Sequence, residues 1–156
     1  MSKRDYRRDA RRLREFDGKR CFISVATNSL KLHLGRRQRS GTFIWIDPPW
    51  ELSHGSDTVT TSADCPDSAK KSQEARFSRW CTLFAPLYRT TLASAVPKSD
   101  GSLTLHFAGG YELFTPSHFI PHLQKLWYDH WYVSRSRKPN HRVERTAASH
   151  RASQAS

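Results

Sequence analysis

Long apolar runs are missing from this chain of 156 residues. No stretch of about 18 residues is free of charge, so no membrane-spanning helix is expected. No apolar segment follows the basic start, so no secretory signal is read either. Cysteine is scarce and odd in number: Cys21, Cys65 and Cys81 stand too far apart for a disulfide framework or a zinc quartet. A reducing, cytoplasmic setting follows as the expectation. Glycine is also sparse, and its one pair, Gly109-Gly110, lies between two β-like segments. A cofactor-binding α/β unit needs a glycine-rich turn between a strand and a helix, so no such unit is expected.

Aromatic residues and positive charge are plentiful instead. Five Trp and eight Phe stand against a net charge of +12. The charge is concentrated at the two ends. Residues 1–20 hold nine Lys/Arg against four Asp/Glu, and residues 134–156 hold six against one. The middle is nearly neutral. Basic ends favour nucleic acid, an anionic surface or an acidic protein as partner; the plain alternative is that they only confer solubility. Arg7, Arg8, Arg11 and Arg12 at one end, and Arg135, Arg137 and Lys138 at the other, are the candidate nucleic-acid contacts.

Periodicity divides the chain into a basic helix over 1–18, an α+β domain over 19–133 and a disordered basic tail over 134–156. Ser2 can cap the helix and Gly18 can end it. Tyr6, Ala10, Leu13 and Phe16 form its narrow apolar stripe. From Lys19 the period changes to two. Ile23 and Val25, then Leu30, Leu32 and Leu34, fall on one face of two strands, with the turn at Asn28-Ser29. "TFIWIDPPWELS" is a strand interrupted by Pro48-Pro49, which cannot donate to a ladder. The polar stretch "SHGSDTVTTSADCPDS" is expected to be a loop. A helix capped by Asp67 or Ser68 runs to Phe84 and is closed by Pro86. "YRTTLASAV", "SLTLHF" and "YELFTP" are strands, with turns at Gly101 and Gly109-Gly110. "WYDHWYV" reads as a last strand. "SLKLHLG" and "SLTLHFAGG" match at an offset of 73 residues, which favours two antiparallel β-meander halves and an internal duplication. The fold class expected is therefore α+β.

"IDPPW" after an apolar strand matches the catalytic loop of methyltransferases that act on amino groups. There a side-chain and a backbone acceptor hold the target amino group, and the aromatic ring stacks on the flipped base. Asp47, Pro48 and Trp50 would fill those roles. The missing glycine-rich turn and the lack of crossover helices argue against it. The structural alternative is a proline bend flanked by Trp45 and Trp50, with Asp47 bonding nearby amides.

His118 and His122 are interrupted by Pro121, so no metal site is expected from them. His33 and His106 read as solvated or satisfied strand histidines. Asp47, Glu51, Glu112 and Asp129 could pair as acid and base, but nothing in their spacing brings them together. In "WYDHWYV" alternation places Trp127, Asp129 and Trp131 on one face and Tyr128, His130 and Tyr132 on the other. The second face suits protein recognition, and beside basic tails it can also stack single-stranded bases.

The stretches "FIWIDPPWELS", "DGSLTLHFAGGYELFTPS" and "WYDHWYV" resemble a family of small, mainly bacterial proteins grouped with immunity proteins of polymorphic toxin systems. The resemblance covers about residues 19–133. It rests on Pro49-Trp50-Glu51-Leu52, on Gly101-Ser102-Leu103-Thr104-Leu105-His106-Phe107, and on a closing strand around Trp127 or Trp131. It implies an α+β fold, no catalysis, no cofactor and, in the immunity case, a protein partner. The long basic ends depart from it.

Together these readings give a binding protein rather than an enzyme. The leading partner is a protein, such as a toxin neutralised by occlusion. Trp45, Asp47, Trp50, Glu51, Tyr128, Asp129, His130 and Tyr132 are the candidate contacts, the carboxylates offering complementarity to a basic nuclease-like site. Nucleic acid bound through the basic ends is the alternative, and the methyltransferase reading comes last.

Overall fold

A computed structural model describes residues 3–34, 41–67, 69–116 and 130–135. Among them lie two α-helices, α1 (Lys3–Leu13) and α2 (Glu74–Cys81). Nine strands accompany them: β1 (Lys19–Ala26), β2 (Ser29–Leu34), β3 (Thr42–Ile46), β4 (Glu51–His54), β5 (Asp57–Thr61), β6 (Thr90–Pro97), β7 (Leu103–Phe107), β8 (Tyr111–Thr115) and β9 (Trp131–Arg135). They form one sheet in the order β5-β4-β8-β7-β6-β1-β2-β3-β9, and every pairing is antiparallel. The α+β class read from the sequence is the class observed. Two meanders, β1-β2-β3 and β6-β7-β8, join through β1 and β6, with α2 between them in the chain. Meanders are a common unit, so this shared order does not by itself establish duplication.

The order of the strands forces the sheet to curl. Between β3 and β4 lie six strand spacings, about 29 Å in a flat sheet. The chain from Ile46 to Glu51 spans at most about 18 Å. The Trp50 indole N–H, which donates to the Asn28 carbonyl at 2.8 Å, fastens this crossing to the β1–β2 turn. The Pro48-Pro49 bond within it is cis.

Alternation decides what the curled sheet encloses. Cys21, Ile23, Leu30, Leu32, Ile44, Ile46, Leu92, Leu103, Leu105, Leu113, Trp131 and Val133 are buried in one cluster. Each such side chain contributes about 1.5–3 kcal/mol when fully removed from water. Burial also pushes the Cys21 thiol up to about 11, so this cysteine behaves as a small hydrophobe. Trp50, Trp80 and Phe84 add an aromatic cluster, and the Trp80 indole donates to the Thr60 hydroxyl at 2.8 Å.

Helix α1 is part of the core. Leu13 and Phe16 are fully buried, as the apolar stripe predicts; the side chain of Tyr6 lies outside the described residues. After Leu13 the chain turns through Gly18, at φ +70°, and Gly18 N–H donates to the Leu92 carbonyl at 2.7 Å. Asp17 accepts from Ala95 N–H at 2.9 Å. Asp9, 1% exposed, accepts from Val133 N–H at 3.3 Å. The helix thereby occupies a donor on β9, a strand at the end of the sheet.

Several expectations need correction. The polar stretch after Leu52 is not a loop throughout. Gly55, at φ +60°, turns the chain into β5, which pairs with β4. Its threonines suit a half-buried pleat despite their polarity. The first hairpin turns at Thr27-Asn28, and Ser29 already belongs to β2. The central helix is shorter than expected. Its ends, Lys71–Gln73 and Thr82–Leu87, are 3₁₀ turns, the second containing Pro86. Asp67 starts the segment by accepting Ala69 N–H at 3.1 Å, while the alternative cap, Ser68, lies outside the described residues. β9 continues past Val133 to Arg135, because backbone pairing with Thr42 does not require apolar side chains. Ser2, the segments 35–40 and 117–129, and 136–156 also lie outside the described residues. With them go the expectations placed on His118, His122, Trp127, Tyr128, Asp129, Arg137 and Lys138 and on a disordered tail. No helix among the described residues is long and apolar enough to cross a membrane.

Candidate binding face

The residues opposite the core on β1, β2, β3 and β9 form a second face of the same strands. Register places them in rows. Phe22, His33, Phe43 and Ser134 make one row; Ser24, Lys31, Trp45 and Tyr132 make the next. Ser29 and Asp47 follow at the end of the face. Alternation read from the sequence already separates these residues from the core. Only the strand order shows that they share one surface.

Aromatic rings dominate this face. Trp45 and Tyr132 stack with centroids 6.5 Å apart and 20° between planes, and Tyr132 is 39% exposed. Phe43 lies 6.1 Å from the His33 ring, and the Lys31 ammonium stands 4.1 Å from its centroid. Phe22 is covered by the edge of Tyr88 at 6.0 Å, leaving Tyr88 45% exposed. The Arg89 guanidinium reaches over Tyr88 at 5.7 Å. Cation–π pairs of this kind hold a positive charge next to a flat apolar surface. His33 also lies 3.3 Å from the Ser24 hydroxyl. Phe43, Lys31, Tyr88 and Arg89 were not singled out from the sequence; the polar-side half of the strand alternation places Phe43 and Lys31, whereas Tyr88 and Arg89 lie in the turn before β6.

Asp47 sets the geometry of the Trp45 indole. Its Oδ1 accepts from Trp45 Nε1–H and from the Ser29 hydroxyl, both at 2.7 Å. Its own N–H donates to the His130 carbonyl at 2.6 Å. The carboxylate also helps burial raise the Tyr132 phenol above its ordinary range. The bend reading of Asp-Pro-Pro-Trp therefore describes the observed bonds, with side-chain donors in place of the expected amides.

Two of the partner-facing candidates are not on the surface. Trp50 is 2% exposed; its ring packs on Trp80 and Phe84 and its N–H is used by Asn28, so it cannot stack on a base or a partner. His130 is 5% exposed, just before β9. Glu51 is exposed but lies on β4, across the sheet, where it accepts from the Thr58 hydroxyl at 2.9 Å. The acidic patch expected from Asp47, Glu51 and Asp129 is not assembled among the described residues. Among the described residues the carboxylates Asp47, Glu51 and Glu112 do not pair as acid and base: Glu112 meets His106 Nδ1 at 3.1 Å, whereas Asp47 holds Ser29 and Trp45. The satisfied reading of His33 and His106 matches these contacts. No group of three or more His, Cys, Asp or Glu able to hold a metal occurs among the described residues.

Positive charge gathers at the β9 edge of the sheet, where α1 meets it. Arg7, Arg8, Arg11 and Arg14 of the first segment are exposed, and Arg12 is half-buried. Arg8 Nε lies 3.2 Å and Arg12 Nη1 3.7 Å from Asp9 Oδ1. The other Asp9 oxygen holds Val133, the neighbour of Tyr132. Arg135 continues β9, with its side chain outside the described residues. The sequence marked these arginines as basic but gave no sign that α1 lies against β9. Asp9, the acid that fixes the contact, was missed because a lone carboxylate among arginines looks like an exposed ion pair.

The chain matches no family model, no curated protein and no solved structure.

Proposed function

We propose that this protein is a non-catalytic binding domain that takes single-stranded nucleic acid on the outward face of β1, β2, β3 and β9. The observation that carries the reading is the stacked, half-exposed Trp45–Tyr132 pair among Phe43, Lys31 and Tyr88. Aromatic rings on a sheet face stack bases irrespective of sequence, and neighbouring cations meet the phosphates. The acidic side chains nearby are tied into the fold: one oxygen of Asp47 by Ser29 and Trp45, and Asp9 by α1 and β9. The exposed arginines of α1 extend the positive surface along the same edge.

Fluorescence anisotropy with a single-stranded oligomer and the matching duplex tests this on the full chain. Binding to the single strand is expected to be tighter and to weaken with salt, with a log–log slope of about −2 to −3 if three or four phosphates are met. Trp45→Ala is expected to cost about 1–3 kcal/mol, or roughly 5- to 150-fold in Kd. Phe114→Ala, which removes an exposed ring from β8, is expected to leave binding unchanged. Absence of binding at low salt, or equal loss in both variants, overturns the reading.

The same Trp45–Tyr132 pair favours a second reading. Trp and Tyr are the side chains that anchor protein interfaces, and the resemblance to immunity proteins implies a protein partner such as a toxin. That reading predicts no affinity for oligomers, and loss of partner binding on Trp45→Ala.

A further inference from the structure

Resting on that proposed face, we infer that Asp47 reads the base stacked beside Trp45, selecting bases that carry an exocyclic amino group. Its two oxygens have different duties. Oδ1 takes both internal donors, the Ser29 hydroxyl and the Trp45 indole N–H, at 2.7 Å each. Oδ2 accepts no hydrogen bond among the described residues, and the side chain is only half-buried. The Trp45 indole N–H that Oδ1 accepts places the carboxylate at the edge of the Trp45–Tyr132 stack. An acceptor fixed at the rim of a stacking surface meets the edge of whatever base lies on it.

Chemistry then separates the bases. Cytosine offers an amino group at ring position 4, where thymine offers a carbonyl oxygen. A carboxylate oxygen accepts from the first and repels the second. The two pyrimidines stack on similar areas, so their ratio of affinities isolates this contact. Asp47→Asn sharpens the comparison. The Trp45 indole N–H can only donate, so it holds the amide oxygen at the Oδ1 position and turns the amide NH₂ to the Oδ2 position. The variant keeps both internal bonds but presents a donor where the native chain presents an acceptor.

The experiment measures Kd for oligo(dC) and oligo(dT) of equal length with the native chain and Asp47→Asn. The native chain is expected to prefer dC by about 5- to 10-fold, and the variant to lose or reverse that preference. Because each ratio is internal to one protein, a general loss of affinity in the variant does not disturb it. Equal binding of dC and dT by the native chain, or a ratio unmoved by the substitution, overturns the inference. If Trp45→Ala still weakens salt-sensitive binding by roughly 5- to 150-fold in that case, the proposed face survives without base selection. If neither oligomer binds, the inference and the reading beneath it fail together.

Discussion

Trp50→Ala is expected to lower stability by about 4 kcal/mol, the middle of the range for removing a buried Trp side chain. Trp50 is 2% exposed and contacts Trp80 and Phe84, so truncation leaves a cavity lined by rigid rings. It also frees the Asn28 carbonyl, which accepts the indole N–H at the crossing between β3 and β4. Against a typical total of about 5–15 kcal/mol, much of the stability goes. Thermal unfolding followed by circular dichroism should show a Tm lower by roughly 8–16 °C. Trp50→Phe keeps most of the apolar area and loses the hydrogen bond, and should fall between the two. A Trp50→Ala variant that melts with the native chain would show that the aromatic cluster does not hold this crossing.

Asp9→Ala is expected to cost about 2–3 kcal/mol, through a different route. Arg8 and Arg12 retain access to water, with side chains 51% and 31% exposed, so they resolvate when the carboxylate goes. Val133 N–H cannot. Leaving that donor unpaired costs about 1–3 kcal/mol, and the loss falls where α1 joins β9. Asp9→Asn retains an acceptor and should recover part of it. Urea unfolding of the three proteins orders them native, Asn, Ala; hydrogen exchange at Val133 should quicken most in the alanine variant. Unchanged stability in Asp9→Ala would mean that α1 is held by the burial of Leu13 and Phe16 and by the bonds of Asp17 and Gly18 to β6.

Much of the fold was legible in the strand alternation. Ile23, Leu30 and Leu32 announce their inward face, and Gly101 and Gly109-Gly110 announce their turns, adopting the positive φ that a chiral side chain resists. β5 was hidden because Thr58, Thr60 and Thr61 are polar in composition while β-branched in shape. The site was less legible. Trp45 and Tyr132 are distant in sequence, and only the pairing of β3 with β9 stacks them. Trp50 was misjudged as a contact since an aromatic beside a proline bend reads equally as a corner of the core. A motif of four residues cannot distinguish these cases; the partner of the indole N–H does.

The bond between Asp9 and Val133 also bears on the order of synthesis. The two residues stand 124 positions apart. At about 5–20 residues per second, ribosomes need roughly 6–25 s to make the second after the first. During that interval Asp9 has no Val133 to hold, and α1 lacks its contact with β9. A helix made well before β9 thus waits for that strand before this contact can form. A chain that stops short of Val133 would leave the outer edge of β3 unpaired, a template for association with another strand.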